Sequence, residues 1–151
     1  MLVADNVTPL PIISTPGGRS VQNRGPVGPI RVRELSATTL LIAAFGAIDA
    51  ANAGEVSGSI ERHLSGYWQL VLDFSRLDFF GTAGYSALHR VYSRCRRVGV
   101  DWVLVPGPEV ERLTRICDPD MILPTAPNIV SAVAALARNH SSAPRRRTAH
   151  R

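Results

Sequence analysis

Residues 69–99, QLVLDFSRLDFFGTAGYSALHRVYSRCRRVG, decide the fold. Leu70, Val71 and Leu72 form an apolar run of the kind a buried strand shows, closed by Asp73. A connection from Phe74 to Phe80 leads to Gly81-Thr82-Ala83-Gly84. From there Gly84, Leu88, Val91, Cys95 and Val98 recur at spacings of 4, 3, 4 and 3, one stripe of an α-helix. Arg94, Arg96 and Arg97 just before Gly99 suit the negative end of that helix, and glycine is a common stop. Thr82 therefore falls where a loop becomes a helix, at the positive end of the helix dipole.

Working outward, Ile30 to Leu35 alternates enough for a half-exposed strand. After the Ser36-Ala37 turn, Thr38 to Phe45 is a second, apolar strand that Gly46 ends. So short a connection implies an antiparallel hairpin. Asp49 stands where a helix cap belongs, before a window running to Leu64 whose inward face is Ala53, Val56, Ile60 and Leu64. Gly54 and Gly58 each weaken that helix by roughly 1 kcal/mol relative to Ala, and Gly66 closes it. Trp68 to Asp73 is the third strand and Trp102 to Val105 the fourth, ended by Pro106-Gly107-Pro108. A short helix follows over residues 109–116, with Val110, Leu113 and Ile116 inward, and Met121 to Leu123 reads as a brief fifth strand. Asn128 caps a last helix to Arg138, with Ile129, Val133 and Leu136 packing inward. The order ββαβαβαβα, with helices after the third and fourth strands, implies parallel crossovers and an α/β sheet with helices packed against it. Functional groups in such sheets gather beyond the carboxyl ends of the strands, where Thr82 lies.

The chain has 151 residues and 45% hydrophobic content, enough for one domain with a real core. All 17 basic residues are Arg, and the net charge is +5. Residues 1–29 contribute +1, residues 30–137 contribute −1 and residues 138–151 contribute +5. The basicity thus belongs to a tail, and direct nucleic-acid binding by the fold is not expected. Residues 1–29, dense in Pro and Gly, read as a flexible arm; residues 30–138 form the domain; residues 139–151 read as a disordered basic tail. Cys95 and Cys117 lack a paired spacing, so no metal framework is expected, and Cys95 on the helix stripe reads as a buried reduced thiol. No run approaches ~18 apolar residues and no signal peptide is visible, so a soluble cytoplasmic protein without a membrane span is expected.

Four pieces then carry a family resemblance: Gly46-Ala47-Ile48-Asp49-Ala50-Ala51-Asn52-Ala53, Leu70-Val71-Leu72-Asp73-Phe74, Phe79-Phe80-Gly81-Thr82-Ala83-Gly84-Tyr85, and the Gly99 to Pro106 strand. In this order and spacing they make residues 30–137 resemble the STAS domain, of the bacterial anti-sigma factor antagonist (anti-anti-sigma factor) type. The resemblance implies a mixed β-sheet of about five strands with about four helices packed against it. It implies a regulatory protein-binding module in transcription, with an anti-sigma factor as partner, itself a serine/threonine kinase of the histidine-kinase ATPase fold. Thr82 stands at the family's phosphorylated Ser, Gly81 at its Asp and Ala83 at its second Ser. The surface around Gly81, Ala83, Gly84 and Tyr85, with Asp49 nearby, is the candidate for partner binding, and His89 joins it as a ring beside the candidate acceptor.

Read from the residues, Thr82 is either a helix N-cap, worth typically ~1 kcal/mol, or a phosphoacceptor whose modification adds about −1.5 to −2 charge. No His lies in the motif to activate it as a nucleophile, and no phosphate loop is present, so no enzyme activity and no cofactor are expected. Asp49 reads as a cap more than as a contact, and Asp73 as a structural acceptor for loop N–H groups. Tyr85, His89 and Tyr92 sit toward an exposed rim or pack on a neighbouring helix. Arg90, Arg94, Arg96 and Arg97 read as a solvated face with dipole compensation or as contacts to an acidic partner. Two alternatives remain: an accessory STAS subunit docked on the ATPase of a lipid-transport complex, and a STAS scaffold that is never phosphorylated.

Overall fold

The computed structural model describes residues 30–142. The expected arm, and the tail beyond Ser142, lie outside these residues. Four strands, β1 (Ile30–Glu34), β2 (Thr39–Ile48), β3 (Gln69–Phe80) and β4 (Asp101–Val105), lie in the order β1-β2-β3-β4. β1 and β2 are the expected antiparallel hairpin, Ile30 facing Ala44 and Glu34 facing Leu40. The β2–β3 and β3–β4 pairs are parallel, as an intervening helix demands of neighbouring strands. The helices are α1 (Ala53–His63), α2 (Thr82–Val98), α3 (Gly107–Cys117) and α4 (Ile129–Ser142). The last of them runs past Arg138, where its sequence pattern ends.

Strand alternation divides the apolar residues between two cores. Leu40, Ile42, Leu70, Leu72 and Leu104 face α1, α2 and α3, which supply Val56, Ile60, Leu88, Val91 and Val110. Leu41, Val71, Val103 and Val105 face the other way, against Ala132 and Leu136 of α4. Each helix buries one stripe, and the stripes are shorter than the sequence pattern extrapolates. Val98 and Ile116, expected inward, are exposed at the last turns of α2 and α3, and in α4 Ala132 takes the inward place expected of Val133, which is exposed. Gly99 ends α2 in the left-handed conformation with φ 78°, where a side chain would be strained.

Two further expectations change. The segment from Phe74 to Phe80 is no connection but the second half of β3. Its pairing with β2 shifts register twice, between Ala43 and Phe45 and between Gly46 and Ala47. The β2 strand also passes through Gly46 to Ile48. The expected fifth strand, Met121 to Leu123, is absent among the described residues. The buried carboxylate of Asp118 accepts the N–H groups of Ile122 at 2.9 Å and Leu123 at 3.1 Å. Those donors are therefore spent on a side chain. Just after that segment, Thr125 bridges to Leu104 of β4 in parallel.

Candidate functional site

The carboxyl ends of β2 and β3 meet at a single pair, Ile48 facing Phe80. The next residue on each strand is Asp49 on one side and Gly81 on the other. The Gly81 N–H donates to the Ile48 carbonyl at 3.1 Å and so extends the pairing by one bond. Parallel pairing thus brings the loop before α1 beside the start of α2.

Asp49 is not the cap of α1. The helix begins at Ala53 with Asn52 in the cap position, and Asn52 makes no capping side-chain bond. Asp49 instead organises the preceding turn. Its Oδ1 accepts the Ala51 N–H at 2.9 Å, its carbonyl accepts the Ala53 N–H at 2.9 Å, and its own N–H donates to Asn52 Oδ1 at 2.9 Å. Asn52 Nδ2 in turn donates to the Ala47 carbonyl at 2.9 Å. An aspartate and an asparagine three residues apart satisfy each other's backbone, as Asx residues do in turns. The loop is fixed, and Asp49 keeps Oδ2 free of hydrogen bonds among the described residues.

Thr82 is not a cap either. Gly81 holds the cap position, with extended φ −100° and ψ −176°, and makes no side-chain cap bond. Thr82 is the first residue of α2 and is exposed. The Gly81 carbonyl accepts the N–H groups of Gly84 at 2.9 Å and Tyr85 at 3.2 Å. The Thr82 and Ala83 N–H groups and the Thr82 hydroxyl have no partner among the described residues. The first turn of α2 carries no acidic side chain, so the positive helix end is uncompensated. The arrangement is a free hydroxyl on a favourable place for negative charge.

The remaining candidates divide. Ala83 is half-buried against the core, and Gly84 is buried. A Cβ at Gly84 would lie 2.6 Å from the Phe80 ring, so this glycine is required by close packing of helix on strand. Tyr85 is half-buried and donates from its hydroxyl to the Cys117 carbonyl at 3.0 Å, tying α2 to the end of α3. His89 Nε2 lies 2.9 Å from that hydroxyl. With the tyrosine proton committed to Cys117, the histidine nitrogen is the donor. Tyr85, His89, Tyr92 and Trp102 follow one another edge to face at centroid distances of 4.8, 6.0 and 6.4 Å. Burial, followed by the charges of Asp118 and Cys117, pushes the Tyr85 phenol above its usual range. Tyr85 and His89 are thus occupied in packing α2 on its neighbours. Cys95 is buried and reduced, as its place on the stripe implies, and burial chiefly, with Glu61 and Asp101, pushes its thiol to about 12. Asp73 is the structural acceptor expected, its Oδ1 taking the Ser75 N–H at 3.0 Å and the Ser75 hydroxyl at 2.6 Å. Arg90, Arg96 and Arg97 are exposed, and Arg96 lies 5.8 Å from the Tyr92 ring centroid.

One residue at this end of the sheet escapes the sequence reading. Phe79 is 49% exposed beside Gly81. Its signal is the Phe79-Phe80 doublet after Leu77, two aromatics that a regular strand sends to opposite faces. Among the described residues no three His, Cys, Asp or Glu side chains gather as for a metal, and no helix is long and apolar enough to cross a membrane.

Comparison with known proteins agrees with this architecture. The family model of the STAS domain matches residues 30–132. Osmosensory protein A of Mycobacterium tuberculosis is 38% identical over 96 residues, 61% of this chain and 61% of that protein, so the chain spans less than two thirds of that relative. The anti-sigma-F factor antagonist RsfA of Mycobacterium tuberculosis is 32% identical over 102 residues, 65% of this chain and 80% of that protein. The crystal structure of an anti-sigma factor antagonist from Mycobacterium paratuberculosis superposes with a TM-score of 0.65 at 22% identity, covering 75% of this chain and 97% of that one, and shows the same fold. The expected α/β architecture holds, with four strands described in place of about five.

Proposed function

The chain belongs to the STAS domain family, and we propose that within it this protein is an anti-sigma factor antagonist switched at Thr82. It binds an anti-sigma factor in the bacterial cytoplasm and so frees a sigma factor. The chain performs no chemistry of its own; it is ligand and substrate.

The observation that carries the reading is the exposed, unbonded Thr82 hydroxyl at the first position of α2, where the family has its phosphorylated Ser. The fixed Asp49 turn and the first turn of α2 form the docking surface, joined through the Ile48–Phe80 pair. In the switching step, Thr82 Oγ attacks the γ-phosphorus of ATP held by the partner's kinase site. An O–P bond forms, the bond to the ADP oxygen breaks, ADP leaves, and the hydroxyl proton passes to a base of the kinase. The product carries about −1.5 to −2 charge. The α2 dipole and the open Thr82 and Ala83 N–H groups stabilise it on the free chain. Docking would bury that hydrated dianion beside Asp49, which is costly, so the phosphorylated chain lets go.

The test uses the purified anti-sigma factors of the source genome, each incubated with the full chain and ATP. Binding before ATP, followed by phosphate mapped to Thr82 and absent from Thr82→Ala, is the expected result. No binding to any of them, or phosphate at another residue with Thr82 untouched, contradicts the reading.

A further inference from the structure

We infer that Phe79 is the side chain by which the docking surface grips its partner, and that the bare backbone of Gly81 sets the position of its ring. The inference rests on the docking reading above and adds the chemistry the partner must offer: an apolar socket that accepts a phenyl ring next to the group that reads Thr82.

β3 departs from regular alternation near its end. A regular strand would send Leu77 and Phe79 to one face and Asp78 and Phe80 to the other. Here Leu77 and Phe80 both enter the core beneath α1 and α2. The register shift allows it: Gly46 faces Leu77 and Ala47 faces Phe79, leaving Asp78 as the extra residue of a bulge. Bulges re-aim side chains next to functional sites. The side chain re-aimed here is Phe79, turned out of the core two residues before Gly81, the cap position of α2. The other exposed aromatic of β3's neighbourhood, Trp68, lies at the opposite end of that strand.

Gly81 lies against the same ring. Its φ of −100° is open to any residue, so conformation does not call for glycine. A Cβ at this position would stand 3.1 and 3.3 Å from two carbons of the Phe79 ring, so that the ring would have to shift by a few tenths of an ångström. The ring therefore lies over the cap residue of α2, continuous with the exposed Thr82. A single exposed apolar side chain is ordinary. An aromatic turned outward by a bulge and seated on a glycine beside the switch residue has the build of an interface anchor, the class of residue that dominates binding energy.

The experiment measures binding of the full chain to purified anti-sigma factors of the source genome, for wild type, Phe79→Ala, Gly81→Ala and the double variant. Thermal unfolding of each variant confirms the fold. Phe79→Ala is expected to bind at least about 30-fold more weakly. Gly81→Ala, by displacing the ring, weakens binding about three- to tenfold, and adds nothing further in the Phe79→Ala background. Phe79→Ala within about threefold of wild type overturns the anchor. An equal effect of Gly81→Ala with and without the ring overturns the role given to Gly81. If wild type binds none of the anti-sigma factors, the parent reading falls and this one with it; the wild-type trace tells the two failures apart.

Discussion

Replacing Gly84 by Ala turns a close contact into a measurable strain. The new Cβ would lie 2.6, 2.8 and 3.0 Å from three carbons of the Phe80 ring, where relaxed carbon pairs sit at about 3.5–4.0 Å. Phe80 is packed with Phe74, Leu77 and Leu88 in the main core, so the ring has little room to retreat. Overpacking of this kind costs about 1–3 kcal/mol. Against it stands the helix preference of Ala over Gly, at most about 1 kcal/mol. The midpoint of that cost less the full preference leaves a net loss of about 1 kcal/mol, or roughly 3–6 °C in Tm for a domain of this size. Far-UV circular dichroism melts of wild type and Gly84→Ala measure it, repeated in a Phe80→Leu background where the ring is gone. There the same substitution is expected to stabilise. A Gly84→Ala protein as stable as wild type, or an equal loss in both backgrounds, refutes the packing argument.

Thr82→Ala should leave stability within about 0.5 kcal/mol by urea unfolding, since no cap bond is lost; a true N-cap would cost ~1 kcal/mol. Tyr85→Phe removes the bond to the Cys117 carbonyl and should cost about 1 kcal/mol in the same assay. In native protein at pH 8 a thiol reagent should titrate Cys117 readily and Cys95 only on unfolding, because the Cys95 thiol ionises near 12. The folded value lies above the ordinary 9.0, so the Cys95 contribution is complete below pH 9 and is lost as pH rises toward 12. Cys95→Val should flatten that part of the alkaline stability profile.

The elements legible in the sequence were those with one dominant period. The α2 stripe from Gly84 to Cys95 and the α1 face from Ala53 to Leu64 are buried as their spacing implies. What stayed hidden depended on contacts far away in the chain. The half of β3 from Phe74 to Phe80 reads as a connection because its core residues, Phe74, Leu77 and Phe80, recur every third position. Two bulges against β2 produce that spacing. Met121 to Leu123 has the composition of a strand, but Asp118 captures its donors. At the site, the loop-to-helix position of Thr82 was readable from the residues alone. That Gly81 takes the cap, freeing the hydroxyl, depended on φ and ψ values that no residue type dictates.

The central claim, release of a sigma factor under control of Thr82, is tested most directly by displacement. A fluorescently labelled sigma factor is bound to its anti-sigma factor, and the full chain is added while anisotropy is followed. The account predicts that wild type lowers the anisotropy to that of free sigma factor, and that the Thr82-phosphorylated chain leaves the complex intact. Failure of wild type to displace, or equal displacement by the phosphorylated chain, would contradict it.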